Sequence, residues 1–353
     1  MNSLTRALKT INLEIPDRVP VDLHSFAVAA YNTGKPFGEV FKNGKLMAEA
    51  QLKLWERFGH DVILLENGTT AMAEAMGCQV AYPDDIPPKV VEPALKRLED
   101  VEKLTLPDPG STATLPQLLI ATRRVVEELG QEVFIMGRAD QGPFSLAALV
   151  RGIDNFMLDL ALGTQKELIH QLLEVCTQAV IRLALAQLEA GAHGTSIGDS
   201  LAGPSLISPA MYMEYAFPYE KKVVEAVKAA GGVVALHICG DTTAIVDQMV
   251  ETGAQILEID EKTVLPKAKS ASQGKCCLLG QVSPTALRNE TPAEIERMAR
   301  RTIEIAGRDG GLILGPGCAM AADTPAANIE ALVRTARIYG QYKNMLGGRT
   351  NND

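Results

Sequence analysis

Short apolar runs alternate with longer amphipathic stretches along most of the chain. The longer stretches have helical spacing, as in residues 218–231, and the one at 291–307 has Thr291 as an N-cap, Pro292 at the first helical position and Gly307 as a stop. The apolar runs have the length of strands, and they are residues 18–24, 61–66, 132–137, 194–200, 233–239, 255–260, 276–281 and 311–317. This alternation predicts a parallel sheet, and about eight strand–helix units over this length are what a (β/α)8 TIM barrel requires. A doubly wound open sheet is the alternative.

The length of the chain, 353 residues, fits one large α/β barrel or two ordinary domains. We interpret residues 1–353 as a single TIM-barrel domain, with a helical N-terminal extension over about residues 1–16 and a frayed tail over about 346–353. Turn-forming residues make 82–88 and 106–116 the irregular stretches, but neither has the character of a long flexible linker.

The composition is that of a globular protein with a sizeable core, since 46% of the residues are hydrophobic and 22% are charged. The net charge of −9 argues against nonspecific binding to nucleic acid or to an anionic membrane. The N-terminus has no unbroken apolar run of the kind a secretory signal needs, and no stretch looks long and apolar enough to span a bilayer. We therefore expect a cytoplasmic protein that binds neither nucleic acid nor membrane.

The cysteines are too few and too clustered toward the end of the chain for a disulfide scaffold. They are Cys78, Cys176, Cys239, Cys276, Cys277 and Cys318. In a reducing cytoplasm we expect free or metal-bound thiols. Cys78 and Cys176 fall in helical patterns and are expected to be buried as small hydrophobic residues. Cys276 and Cys277 open their strand, so they should lie at the amino-terminal end of the barrel.

The carboxyl ends of the strands of a (β/α)8 barrel face one mouth, where chemistry is expected. Nearly every predicted strand ends in a polar or metal-ligating residue, and these are His24, Glu66, Arg138, Asp140, Asp199, His237, Cys239, Glu258, Asp260, Gln281 and Cys318. A barrel with a purely structural role would not need this. Among them, Asp199 and Asp260 are candidate catalytic residues, which either handle protons or support the side chains that touch metal or substrate. Arg138 is a candidate for holding an anionic substrate group, and His24 is a candidate substrate-binding residue that lines the mouth.

The run VVALHICGD ends in a histidine and a cysteine one residue apart. On a strand, residues two apart point to the same face, so His237 and Cys239 can offer an imidazole nitrogen and a thiolate together. Zinc favours these donors. Cys318 is the best candidate for a third ligand, because Gly-Pro-Gly precedes it and would turn the chain sharply at the mouth. The two strands are not adjacent in the predicted order, so Cys318 must reach across from its loop.

An acidic pair lies on the following strand. In QILEID, Glu258 and Asp260 share one face, and we expect both to point into the barrel near its mouth. Glu258 is either a fourth zinc ligand that is displaced when substrate arrives, or an acid that hydrogen-bonds the histidine ring. Asp260 is likewise a candidate for an acid that hydrogen-bonds the histidine ring.

Two other motifs bear on the mouth. DLHSFA, residues 22–27, is similar to the Asp-x-His-x-x-Gly signature of corrinoid-binding domains, but Ala27 replaces the glycine, so we do not expect His24 to bind cobalt. Residues 142–152, GPFSLAALVRG, predict a turn that opens a helix of small residues. The N-terminus of this helix either faces an anion or serves packing alone.

Six segments carry a resemblance to a known family: PDRVPVD, GPFSLAALVRG, DSLAGPSLISPAMYMEYAFPYEKKV, LHICGD, GQVSPTALRNETP and GPGCAMAADTPAANIEALV. With them the whole chain resembles the uroporphyrinogen decarboxylase superfamily, and within it the zinc-dependent corrinoid methyltransferases of the methylcobamide:coenzyme M type. His237, Cys239 and Cys318 match the His-x-Cys…Cys zinc motif of that branch, whose spacing is similar to that in cobalamin-independent methionine synthase. In that enzyme a glutamate between the cysteines also binds zinc, and Glu258 lies near the matching position.

The resemblance implies that Zn²⁺ is held by His237, Cys239 and Cys318, with Glu258 as a candidate fourth ligand. It implies methyl transfer between a protein-bound corrinoid, methylcobalamin, and a small substrate, in the first place a thiol such as coenzyme M. The chain lacks a complete corrinoid-binding motif, so the corrinoid should arrive on a separate protein that docks over the mouth. A homodimer is compatible with this arrangement.

Three other functions stay open. A methyl-donor-side corrinoid methyltransferase would act on methanol, a methylamine or a methyl ether. A metal-free decarboxylase of the same fold would need arginines near the N-terminus to hold a porphyrinogen's carboxylates, and residues 19–36 contain none. A noncatalytic partner that binds methyl-corrinoid would show binding without turnover.

Overall fold

Parallel strands form one curled sheet, which positions every candidate site residue. The computed structural model describes residues 1–347, and its strands are β1 (Val62–Leu65), β2 (Gln79–Ala81), β3 (Lys89–Glu92), β4 (Phe134–Gln141), β5 (Gly194–Gly198), β6 (Val233–Ile238), β7 (Ile256–Ile259), β8 (Cys277–Val282) and β9 (Leu312–Pro316). Within the described residues, seven of these strands pair in the order β1-β4-β5-β6-β7-β8-β9, and β2 pairs only with β3. All six pairings in the larger sheet are parallel.

Residues 20–22, here called the closing segment, join the two edges of this sheet. Val21 pairs in parallel with Leu314 of β9, and Asp22 pairs in parallel with Val62 of β1. The Asp22 amide donates to the Leu314 carbonyl at 3.0 Å, and the Leu314 amide donates to the Pro20 carbonyl at 2.8 Å. The closing segment therefore supplies the eighth strand, and the predicted TIM barrel is confirmed in place of the open sheet.

Helices cover the outside of the barrel. They are α1 (Ser3–Ile11), α2 (Phe26–Tyr31), α3 (Phe37–Phe41), α4 (Gly44–Phe58), α5 (Ala71–Ala75), α6 (Leu115–Leu129), α7 (Pro143–Arg151), α8 (Ile153–Leu162), α9 (Lys166–Glu189), α10 (Pro209–Tyr215), α11 (Phe217–Ala229), α12 (Val246–Glu251), α13 (Leu265–Ser272), α14 (Pro284–Asn289), α15 (Pro292–Thr302), α16 (Ala326–Tyr339) and α17 (Tyr342–Gly347). A 3₁₀ helix spans Leu98–Lys103, and a π-helical turn spans Ile303–Gly307. Thr291 caps α15 by accepting from the Glu294 amide, as its sequence predicts.

All eight predicted apolar runs contribute strands. The structure adds one hairpin to them, and most of the predicted C-terminal tail lies outside the described residues. The sequence pattern missed the β2–β3 hairpin, which flanks the irregular residues 82–88. Both strands are short and half-exposed, so neither has an apolar run that could reveal it. The tail predicted to fray, about residues 346–353, lies outside the described residues apart from its first two, which end α17.

The amino-terminal end of the barrel is closed by α1. Ala7 and Ile11 pack in one cluster with interior residues of the strands, among them Phe134 and Cys277. This packing puts Cys277 at the end of the barrel opposite the mouth, as its place in the sequence predicts. α1 therefore packs apolar side chains against this end of the barrel, and the candidate site residues lie toward the carboxyl ends of the strands.

The expectation that no stretch is long and apolar enough to span a bilayer needs one correction. Among the described helices, α9 is long and apolar enough to cross a membrane by length and composition alone. Half of its most apolar window is buried in the structure, where α9 packs on β4, β5, α7 and α11. Its apolar residues therefore pack in the core around the barrel. A helix that is buried on most sides is hydrophobic on most sides.

Candidate metal centre at the barrel mouth

Three potential metal ligands meet at the mouth. The Nε2 atom of His237 lies 3.0 Å from the Sγ atom of Cys239, and that sulfur lies 3.8 Å from the Sγ atom of Cys318. One ligand atom from each of the three residues lies within 4.8 Å of the others. His237 is in β6, Cys239 follows it, and Cys318 reaches across the mouth from the loop after β9. The gap between non-adjacent strands is thus bridged by the loop, as the sequence requires.

The ring of His237 is oriented by a backbone carbonyl. Its Nδ1 atom lies 3.0 Å from the carbonyl oxygen of Glu258 in β7, so Nδ1 carries a proton and donates. In the neutral ring this leaves Nε2, which faces the sulfur atoms, with a free lone pair. Burial lowers the pKa of His237, but the Glu258 carboxylate and Cys239 outweigh burial and raise it. The ring is thus preset to present the nitrogen that a metal would use.

The two cysteines share one proton. Either sulfur can donate in the contact between Cys239 and Cys318, and this contact, opposed by burial and reinforced by His237, lowers the pKa of Cys239 to about 4. The same contact, together with burial, raises the pKa of Cys318. One imidazole nitrogen and two sulfur atoms form a donor set that suits zinc, and a divalent cation would replace the shared proton. The residues therefore fit Zn²⁺.

Glu258 turns its carboxylate away from the sulfur atoms. Its Oε1 atom is 2.6 Å from Nδ1 of His24, and its Oε2 atom is 3.8 Å from Nδ1 of His237, the nitrogen on the far side of that ring from Cys239. Burial raises the pKa of Glu258, but His24 and His237 outweigh it and lower this pKa to about 2. Of the two roles that the sequence leaves open for Glu258, the arrangement favours support of the histidine over ligation.

His24 bridges two acids under the mouth. Its Nε2 atom is 3.1 Å from the Glu66 carboxylate, while its Nδ1 atom contacts Glu258. Burial lowers the pKa of His24, but the two acids outweigh burial and raise it to about 10, so the ring carries a positive charge at neutral pH. Both ring nitrogens are engaged and the side chain is buried. Substrate binding by His24 stays a prediction, and these contacts indicate a role in orienting Glu258.

Arg138 lies in the barrel interior among the same acids. Its Nη1 atom donates to Ser196 at 2.9 Å, and its Nε atom is 3.8 Å from the Glu66 carboxylate. Within the described part of the chain, this Nε atom is buried without a hydrogen-bond partner. A guanidinium with an unused donor can bind an anionic group, as predicted for Arg138 from the sequence.

The two candidate catalytic acids contact backbone amides. Asp199 is buried, and its carboxylate accepts from the amides of Ser145 at 2.6 Å and Phe144 at 3.2 Å, in the first turn of α7. The anion that this helix N-terminus faces is therefore Asp199 itself. Asp260 accepts from the amides of Gly240 at 2.9 Å and Lys262 at 3.0 Å. Catalysis by either acid stays a prediction, and these contacts indicate that both hold loops at the mouth.

Sequence reasoning missed one residue of the site, Ser200, and one contact, that of Glu66 with His24. Ser200 has its Oγ atom 3.2 Å from the Sγ atom of Cys239. Glu66 was recognised as a strand end, but its contact with His24 was not expected. The one feature of the sequence that could have indicated Ser200 is its position next to Asp199, at the end of a predicted strand.

Known proteins are similar to this chain over most of its length. The family model for uroporphyrinogen decarboxylase (URO-D) matches residues 2–339. The methylcobamide:CoM methyltransferase MtbA of Methanosarcina mazei is 33% identical over 302 residues, which cover 83% of this chain and 85% of that protein. The uroporphyrinogen decarboxylase of an Anaeromyxobacter species is 28% identical, covering 93% of this chain and 96% of that protein.

A solved structure extends the likeness to the fold. A methyltransferase from Methanosarcina mazei superimposes with a TM-score of 0.87 and 29% sequence identity, over 96% of this chain and 98% of that chain. A family model that spans nearly the whole chain, together with this superposition, establishes the relationship. The chain belongs to the uroporphyrinogen decarboxylase family.

Proposed function

We propose that the protein is a zinc-dependent methyltransferase that moves a methyl group between a protein-bound corrinoid and a small thiol such as coenzyme M. The observation that carries this proposal is the meeting of His237, Cys239 and Cys318 around one point at the barrel mouth. Relatives named methylcobamide:CoM methyltransferases, MtbA and MtaA, support both the corrinoid and the thiol. A decarboxylase has no use for two thiols and an imidazole at this place.

The side chains have distinct tasks in this reaction. His237, Cys239 and Cys318 would hold Zn²⁺, which lowers the pKa of a substrate thiol so that its sulfur is a thiolate at neutral pH. The two protein thiols, once deprotonated, balance the charge of the ion and leave the substrate sulfur electron-rich. Arg138 would bind an anionic group at the other end of the substrate through its unused Nε donor.

The groups beneath the ligands keep the site rigid and dry. His24, held by Glu66 and Glu258, fixes the carboxylate behind His237, and all four residues are buried. Burial excludes water, so the electrostatic interactions of these groups are stronger than they would be in solvent. The corrinoid would arrive on a separate protein that covers the mouth, and we place the reaction in the cytoplasm, where thiols stay reduced.

Metal analysis of a ligand variant tests the proposal. We expect about one zinc ion per chain in the wild type and loss of that zinc in Cys318→Ser, because two remaining ligands do not hold it. Cys276→Ser is the matched control, since Cys276 is buried at the amino-terminal start of β8, and it should keep the metal. A protein that binds no zinc and is nevertheless active would refute the proposal.

An activity assay completes the test. The zinc-loaded protein is incubated with methylcob(III)alamin and coenzyme M, and the appearance of the cob(I)alamin spectrum is followed. Replacing coenzyme M with methanol, methylamine or a methyl ether, and starting from cob(I)alamin, separates the donor-side alternative from the proposed reaction. Binding of methylcobalamin without turnover by any of these substrates would instead indicate a noncatalytic partner.

A further inference from the structure

A hydroxyl group lies beside one of the two sulfur ligands. The Oγ atom of Ser200 is 3.2 Å from the Sγ atom of Cys239. When Cys239 is a thiol it can donate to this hydroxyl, and when it is a thiolate the hydroxyl donates to it. Ser200 belongs neither to the three metal ligands nor to the charged residues beneath them.

Ser200 is held in place from both sides. Its neighbour Asp199 accepts from the amides of Ser145 and Phe144, and its other neighbour, Leu201, donates its amide to the Oγ atom of Ser145 at 2.9 Å. Both anchors belong to the N-terminus of α7. The backbone at Ser200 is therefore held by α7, independently of the contact between its hydroxyl and sulfur.

A methyltransferase with cysteine ligands faces a problem of selectivity. Under the proposed function, the methyl donor approaches three sulfur nucleophiles: the substrate and the two cysteines. Methylation of a cysteine would form a carbon–sulfur bond at the protein, with the bonding electron pair leaving on the donor, and the site would lose a thiolate. A hydrogen bond to a thiolate lowers the energy of its lone pairs and so lowers its nucleophilicity.

We propose that Ser200 is a positioning residue that protects Cys239 from methylation by hydrogen-bonding its thiolate, so that the methyl group goes to the substrate sulfur. The inference rests on the proposed zinc-dependent methyl transfer. It also gives a reason for the buried acid Asp199, which fixes the Ser200 loop to α7.

The test measures methylation of the protein itself. Zinc-loaded wild type and Ser200→Ala are incubated with methyl iodide in the absence of any thiol, and iodide leaves with the bonding pair as sulfur gains the methyl group. Peptide mass mapping then follows one added methyl group at Cys239 and at Cys318. We expect Cys239 to react about three- to tenfold faster in Ser200→Ala, with Cys318 unchanged, from the net strength of a typical intramolecular hydrogen bond.

Three further variants make the result specific. Ser200→Thr keeps a hydroxyl and should restore the slow rate. Ser145→Ala removes the acceptor of the Leu201 amide and should raise the Cys239 rate by a smaller factor. Ser208→Ala is the matched control, because Ser208 caps α10 through the Met211 amide and should leave the rate unchanged.

A spectroscopic measurement does not depend on reaction rates. In the cobalt(II)-substituted protein, loss of the hydrogen bond should move the sulfur-to-cobalt charge-transfer band to lower energy in Ser200→Ala, and Ser200→Thr should return it. If Ser200→Ala does not fold, the band and rate in Ser145→Ala decide the question. If variants that bind zinc methylate Cys239 at the wild-type rate and leave the band unmoved, the inference about Ser200 is overturned and the proposed function is not. A wild type that binds no zinc overturns the proposed function.

Discussion

At the scale of single residues, burial raises the pKa of an acid at the barrel mouth. Asp140 is buried, its backbone has a φ of 64°, and within the described residues its Oδ1 atom has no hydrogen-bond partner. The left-handed backbone of a residue with a Cβ atom costs about 1 kcal/mol, and such strain is retained at functional sites. Burial raises the pKa of Asp140 to about 7. Its charge is therefore expensive for the folded protein.

We predict that Asp140→Asn stabilises the protein at alkaline pH. In the unfolded chain Asp140 ionises near pH 3.8, but in the folded protein it keeps its proton up to about pH 7. The unfolded state therefore gains stability as pH rises, and the free energy of unfolding falls by about 3 kcal/mol between pH 5 and pH 8. Asparagine cannot ionise, so the variant should lose this dependence.

Urea denaturation of both proteins at pH 5 and pH 8 measures this effect. Asp84→Asn, at an exposed position, is the control and should leave the pH dependence as in the wild type. An equal change in stability for wild type and Asp140→Asn over this range would contradict the prediction.

The residue scale also separates what the sequence could predict from what it could not. His237 and Cys239 are two apart on a strand, and the alternation of side chains alone puts them on one face. The contact of Ser200 with Cys239 depends on a loop whose course is set by α7, and no local pattern encodes it. The pairing of His24 with Glu66 and Glu258 joins three strand ends, so it requires the closed barrel.

At the scale of elements, the end of one strand stabilises the helix that follows another. Asp199 follows β5, yet it caps α7, which follows β4. The helix dipole and two amide donors favour the acid at this position. The segment 142–152 therefore signals a helix N-terminus in the sequence, but its capping residue is not a neighbour in the chain.

We predict that Asp199→Ala lowers the free energy of unfolding by about 2 kcal/mol, because two buried amides lose their acceptor. Asp199→Asn keeps an acceptor oxygen and should cost less. Urea denaturation at neutral pH gives both values. A fully stable Asp199→Ala would show that water or another group satisfies these amides, and that α7 does not depend on the acid.

The elements were predictable where burial sets their pattern. Strands such as β4 and β6 are buried along almost their whole length, so their apolar runs identify them. The hairpin of β2 and β3 is half-exposed, and the closing segment is only three residues long. The hairpin strands have no apolar run that could reveal them, whereas the closing segment lies within the predicted run 18–24 and only its partners, Leu314 and Val62, are distant in the chain.

At the scale of the whole molecule, the two ends of the barrel respond to pH in opposite senses. Burial raises the pKa of Asp22 and Asp140 to about 7 at the mouth, so their contribution to stability grows as pH falls from 7 toward 4. His60 precedes β1 at the amino-terminal end, and burial lowers its pKa to about 4. Within the described chain, both of its ring nitrogens lack a hydrogen-bond partner.

His60 should therefore limit stability in mild acid. Its imidazole binds a proton near pH 6.5 in the unfolded chain but only near pH 4 in the folded protein. The unfolded state takes up this proton first, so the folded state loses about 2 kcal/mol from this residue between neutral pH and pH 5.

We predict that His60→Leu, which cannot bind a proton, is more stable than the wild type at pH 5, with a smaller difference at pH 7.5. Urea denaturation at the two pH values measures the change, and His170→Leu, at a half-buried helical histidine, is the comparison variant. If the gain of His60→Leu is the same at both pH values, the residue acts through packing and not through its charge.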